Sequence, residues 1–205
     1  MSIDPTSNHA YTSDEELMLW MQEKTGGLHD DLANAMDISD RRSGLIEDLT
    51  NFKTRVKNAQ PEEYAQIAQE ARSMLAEAEG MPGYEELQAT LQPMISELES
   101  YAEWRELVQY AQNNLEGARV DLGVEMFDWL NANAVLGAIN IPKATLDTWG
   151  DNIQARVDGL GREDQLNLIR IGSLDKGIHQ AEQIASNLIK SRDDARSAII
   201  ANMRA

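Results

Sequence analysis

The stretch that decides the fold runs from Ile171 to Ile199 and reads IGSLDKGIHQAEQIASNLIKSRDDARSAI. Stepping alternately three and four residues along it lands on Ile171, Leu174, Ile178, Ala181, Ala185, Leu188, Arg192, Ala195 and Ile199, apolar everywhere except Arg192. That spacing places one stripe on one side of a helix, the seam of a coiled coil. Ile153, Val157 and Leu160 continue the register upstream, across polar Asp164 and Asn167, with Gly159 and Gly161 as candidate breaks. Leu166, Leu168, Ile169, Ile184, Ile189 and Ile200 fall off the stripe, on other faces of the same helix. A helix apolar on several sides needs more cover than one partner helix supplies. Neighbouring copies of the chain are the simplest source of that cover, so these six are the candidate subunit-interface residues. Ile199 and Ile200 divide in this reading, because adjacent residues point about 100° apart. Ile199 continues the intramolecular seam and Ile200 faces the next subunit.

A partner for this helix is visible near the other end. From Leu17, steps of four and three reach Met21, Lys24, Leu28, Asp31, Ala35, Ile38, Arg42, Leu45, Leu49, Phe52, Val56 and Ala59, ten apolar positions of thirteen. Ser13 followed by Glu16 has the spacing of a capping box, which predicts a helix start there. Gly26, Gly27 and Gly44 weaken the run, and a break at Thr25-Gly26-Gly27 is expected, each interior glycine costing about 1 kcal/mol relative to alanine. Leu45, Leu49, Phe52 and Val56 are expected to form one intramolecular seam with Ile171, Leu174, Ile178, Leu188 and Ile199.

Between the two runs the pattern changes. Pro61 suits the first turn of a helix that Gly80 caps and Met81-Pro82-Gly83 stops. A further helix starts near Tyr84 and is expected to kink or restart at Pro93. Residues 61–107 carry eleven Glu against Arg72 and Arg105, a solvated acidic face or a docking surface for a basic partner. Trp104, Tyr110, Phe127, Trp129 and Trp149 are expected to form a small core of their own, and Gly137, Pro142 and Gly150 punctuate the return to the last helix. The expected organisation is therefore a flexible 1–12, an N-terminal coiled-coil arm over 13–60, a variable helical middle over 61–149, and a C-terminal coiled-coil and self-assembly helix over 150–205. The fold class is all-α, an antiparallel helical hairpin of two long coiled-coil arms with a helical middle insert.

Charge and composition narrow the function. With 18 Lys and Arg against 35 Asp and Glu, the formal charge is −17. Such a surface repels phosphate backbones and anionic lipid, which argues against nucleic acid and membrane surfaces as partners. No cysteine occurs, which removes disulfides and thiolate chemistry. The N-terminus has neither a basic start nor an apolar run, so a general secretory signal peptide is not expected. No apolar run approaches the length of a membrane span.

Catalytic patterns are sparse. His9, His29 and His179 are far apart, and none has Glu three residues before it, so the Glu-x-x-His pairs of di-iron bundles are missing. GLGRED at 159–164 has Asp164 where a dinucleotide fingerprint needs its third glycine. No phosphate-binding Gly-Lys-Ser/Thr loop, nucleophile elbow or EF-hand loop is present. The expectation is a protein that is not an enzyme and holds no cofactor or metal.

The final segment carries a resemblance. DQLNLIRIGSL (Asp164–Leu174), ASNLIKS (Ala185–Ser191) and SAIIANMR (Ser197–Arg204) look like the C-terminal helix of type III secretion filament and needle-tip proteins of the EspA and SseB kind. The likeness covers about 50 residues and the plan of two coiled-coil arms around an insert; residues 61–149 match nothing known. It implies a secreted structural protein at the bacterial surface that polymerises at the needle tip into a hollow filament or tip complex linking the needle to the host-membrane pore. It further implies homopolymer contacts, needle and translocator proteins as partners, and a dedicated intracellular chaperone before export. The Ser/Thr/Asn-rich start is similar to a type III export signal. Without the resemblance, the same arms suit a cytosolic adaptor or chaperone that binds another protein.

Overall fold

The computed structural model describes residues 14–114, 121–123, 125, 128 and 140–203. Four helices account for nearly all of them: α1 (Asp14–Lys57), α2 (Tyr64–Ala78), α3 (Tyr84–Asn113) and α4 (Lys143–Met203), with a 3-10 turn at Pro61–Glu63 before α2. No strand occurs among the described residues. The fold is all-α, with α1 and α4 packed as an antiparallel hairpin. Ser13 and the expected flexible 1–12 lie outside the described residues, as do Phe127, Trp129 and Gly137.

The chain divides into two compact units, 40–164 and 1–39 with 165–205. In the first, α2 opens on Pro61, and the Gln60 N–H donates to Glu63 Oε2 at 2.9 Å. Its buried residues, Tyr64, Ile67, Ala68, Ala71, Met74, Leu75 and Ala78, recur at steps of three and four and face α3. The turn between them needs glycine twice. Gly80 and Gly83 stand at φ +78° and +87°, and Gly83 also receives the Arg156 guanidinium so closely that a Cβ would strike it. α3 runs through Pro93 without interruption. The missing hydrogen bond and ring clash cost about 3 kcal/mol. Leu91, Met94, Ile95 and Leu98 are all within 1% of complete burial and contribute about 1.5–3 kcal/mol each, which outweighs the penalty.

Leu45, Leu49, Phe52 and Val56 of α1 join this core, and so do Leu146, Ile153 and Leu160 of α4. Lys53 Nζ donates to Gln154 Oε1 at 2.5 Å and Lys57 Nζ to Asp151 Oδ1 at 2.6 Å, which sets the antiparallel register. The hydrogen bond to Asp151 raises the Lys57 pKa above its ordinary value. In that register the four α1 residues face Leu146–Leu160, while Ile171–Ile199 lie in the other unit. The expected boundary at 149/150 falls inside α4, and Gly150 is a buried helical position. A Cβ there would run into the Lys57 side chain, so the glycine is a close-packing point rather than punctuation.

The described members of the expected aromatic core are not gathered into a buried cluster of their own. Trp104 and Tyr110 are 41% and 39% exposed, and Trp149 packs half-buried against the aliphatic cluster. Tyr64 is the exception, 1% exposed and edge-on to Tyr101 with ring centroids 6.2 Å apart. Its hydroxyl accepts the Ile141 N–H at 3.0 Å, tying down the chain just before α4, and burial raises its pKa above the ordinary tyrosine value.

In the second unit, 14–39 of α1 lies against 165–203 of α4. Asn167 Nδ2 donates to the Ala35 carbonyl at 2.7 Å, and Arg192 Nη1 reaches Met18 Sδ at 4.0 Å. Helix α1 does not break at Gly26-Gly27, since about 1 kcal/mol per glycine is too little to open a helix packed along its length. Met21, Ala35 and Ser39 are buried, with Thr25, Leu28, Leu32 and Ile38 half-buried between them. Lys24 and Asp31, polar members of the expected seam, point to solvent, and Thr25 and Leu32 take their places.

Tyr64→Phe removes the acceptor for a buried N–H while keeping the ring. The expected cost is about 1–3 kcal/mol, measured as a lower urea midpoint with an unchanged slope.

Candidate self-association surface

The expected seam residues of α4 do not share one environment. Ile178 is 3% exposed; Ile171, Leu174 and Leu188 are half-buried; Ile199 is 60% exposed. Among the described residues, α1 offers Ile199 no partner. The register places Arg192 beside Met18, and the described part of α1 begins only four residues before that, at Asp14. From Ile189 to Met203 every residue of α4 is exposed.

All six residues placed off the seam are exposed: Leu166 at 67%, Leu168 at 53%, Ile169 at 70%, Ile184 at 55%, Ile189 at 46% and Ile200 at 45%. Met203 is more open still, at 82%. On α1, Met18, Leu19, Trp20 and Met36 are also exposed. Of the fourteen large apolar residues exposed among the described residues, twelve lie in the unit of 14–39 and 165–203. Only Trp104 and Tyr110 belong to the other. This concentration distinguishes the surface from the scattered apolar residues that any protein shows. Sequence periodicity located the α4 members but missed the α1 members. Their signal was available: Met18, Leu19 and Trp20 are consecutive, so they cannot all face one partner helix.

The electrostatic features of the 40–164 unit are structural. Arg42 Nη2 and Arg156 Nη1 approach the two oxygens of Glu163 at 3.4 and 3.1 Å, and Arg156 Nη2 donates to the Gly83 carbonyl at 2.8 Å. The arginine side chains are 3% and 9% exposed, that of Glu163 35%. The Nε atoms of both arginines are buried with no hydrogen-bond partner among the described residues. Arg42 was the third polar interruption of the N-terminal heptad; the shared carboxylate accounts for its burial. In the acidic 61–107 segment, both bases are engaged, Arg72 with Glu99 at 2.7 Å and Arg105 with Glu62 at 2.8 Å. Arg55 also pairs with Glu70. Tyr110 donates to Asp121 at 2.6 Å, which raises its pKa.

Shallow grooves mark the surface of this unit. One, of about 450 Å³, lies beside Pro93, Met94, Trp149 and Arg156; another, of about 350 Å³, lies beside Arg41, Asp48 and Met81. Among the described residues no group of three His, Asp or Glu side chains is placed to hold a metal ion, and no described helix is long and apolar enough to cross a membrane. No family model matches the chain, and neither the curated proteins nor the solved structures contain a match.

The two classes of ion pair separate experimentally. Glu163→Gln leaves two buried guanidinium groups facing each other, and its expected cost is about 1–3 kcal/mol, below the usual buried-pair penalty because the carboxylate is partly solvated. Arg72→Gln breaks an exposed pair and is expected to change stability by about 0–1 kcal/mol. Equilibrium denaturation of both variants checks the ordering.

Proposed function

We propose that this chain is a self-assembling structural protein exported by a type III secretion system, polymerising at the needle tip into a filament or tip complex that leads to the host-membrane pore. Two independent observations support the reading. The sequence between Asp164 and Arg204 resembles the C-terminal helix of that family. The same helix carries exposed Leu and Ile residues on several faces, and among the described residues every position from 189 to 203 is exposed.

The carrying observation is energetic. Each fully buried Leu or Ile contributes about 1.5–3 kcal/mol. A neighbour that covered three or four of these residues would gain enough to offset much of the cost of association, about 4–15 kcal/mol. In a polymer that gain recurs at every subunit. The needle and translocator proteins are the further partners of this reading. A dedicated chaperone would shield the apolar helix before export. The absence of cysteine suits passage through a narrow conduit.

Negative-stain electron micrographs and sedimentation velocity of the purified chain test the proposal. High-mass assemblies that grow with concentration are expected. Ile189→Asp and Ile200→Asp, both at exposed positions, are expected to keep the helical circular dichroism and lose the assemblies. A chain that stays monomeric while binding a different protein would replace this reading with an adaptor. Unchanged assembly in both variants would overturn the assignment of these residues.

A further inference from the structure

On α1, Trp20, Glu23, Lys24, Gly27, Leu28 and Asp31 line a groove of about 380 Å³. Trp20 is 46% exposed, Glu23, Lys24 and Asp31 are exposed, and Leu28 forms a half-buried wall. The notch exists because Gly27 has no side chain, and a Cβ built there meets nothing within 4 Å. The rim has two acids with one base between them. Its setting is strongly acidic, with seven Asp and Glu against Lys24 over residues 14–39.

The exposed end of α4 lacks that acidity. Over 189–203, Lys190, Arg192 and Arg196 outnumber Asp193 and Asp194. Steps of four and three through this end give Ile189, Asp193, Arg196, Ile200 and Met203, one helix face with three large apolar residues, one acid and one base. Arg196 answers Glu23 and Asp31 of the groove, Asp193 answers Lys24, and an isoleucine matches the notch at Gly27. Arg192 lies outside that strip and contacts Met18 of its own chain, so the two roles do not compete.

We propose that the face Ile189–Asp193–Arg196–Ile200–Met203 of α4 docks into the Trp20–Gly27–Asp31 groove on α1 of a second copy. The charge pattern selects this occupant. A chain of net charge −17 repels its own copies over most of its surface, and contact is favoured where a charge-balanced helix face, with Asp193 and Arg196, meets a rim of Glu23, Lys24 and Asp31. The contact is heterologous, since the two patches differ, and such contacts extend into open polymers or close into rings. The inference rests on the reading of the chain as self-assembling and identifies the surfaces used.

The full-length chain tests it by sedimentation velocity. Gly27→Leu places a side chain in the notch from a Cβ position that is free of contacts in its own chain, and replaces a poor helix former by a good one. The variant is expected to melt no lower than the unmodified protein, yet to self-associate at least tenfold more weakly. Arg196→Glu is expected to weaken association similarly. Mixing the two variants should give one-to-one heterodimers that do not extend, because each retains the half the other lacks. If Gly27→Leu assembles like the unmodified protein, or the mixture forms no complex, the docking assignment is overturned while self-assembly stands. An unmodified chain that remains monomeric at every concentration overturns both.

Discussion

A helix laid against one other helix covers a single stripe of it, and this limit governs the distribution of apolar surface in the chain. In the 40–164 unit, α2 and α3 add a second layer of cover. Leu49, Phe52, Ile67, Leu91, Ile95 and Leu98 are consequently buried to within 1%. In the unit of 14–39 and 165–203, the described residues form two helices alone. Only Met21, Ala35, Ser39 and Ile178 are buried there, and every other seam position is half-buried or open. At about 1.5–3 kcal/mol per aliphatic side chain, the difference is the main reason to expect the first unit to outlast the second on unfolding.

Much of the helical plan was legible in the sequence. Heptad spacing is a direct consequence of helix geometry, and it located both long helices, the buried run Leu45–Val56, and the six α4 residues that stand off the seam. Spacing does not carry register. Leu45–Val56 and Ile171–Ile199 have equally good stripes, but the antiparallel hairpin pairs the former with Leu146–Leu160. Punctuation misled for an energetic reason. Gly26, Gly27, Gly44, Gly159 and Gly161 each weaken a helix by about 1 kcal/mol, and packing along α1 and α4 exceeds that. Pro93 costs more and is still overridden by its buried neighbours.

The aromatic residues misled for a geometric reason. Trp and Tyr are large, and three or four closely packed helices favour aliphatic residues and alanine at the contacts, as Ala68, Ala71 and Ala78 of α2 show. Bulk alone therefore did not identify the core. The close approaches were equally invisible: Gly83 against Arg156 and Gly150 against Lys57 depend on residues 73 and 93 positions away. Arg42 looked like a flaw in the heptad until Glu163, more than a hundred residues on, supplied its counter-ion.

Charge sets a second limit on any assembly. At physiological ionic strength, exposed charges interact over about 8 Å, so two copies of an acidic chain can approach closely only where local charge is balanced or reversed. The 61–107 segment, with eleven Glu and both of its arginines already in ion pairs within the chain, is an unfavourable place for such an approach. The end of α4 is favourable on both counts, since its bases outnumber its acids and its isoleucines are uncovered. Apolar exposure and reduced acidity coincide on the same fifteen residues, 189–203. Either property alone is common on a helical surface. Together they let hydrophobic association act at short range without the long-range repulsion that the rest of the chain imposes.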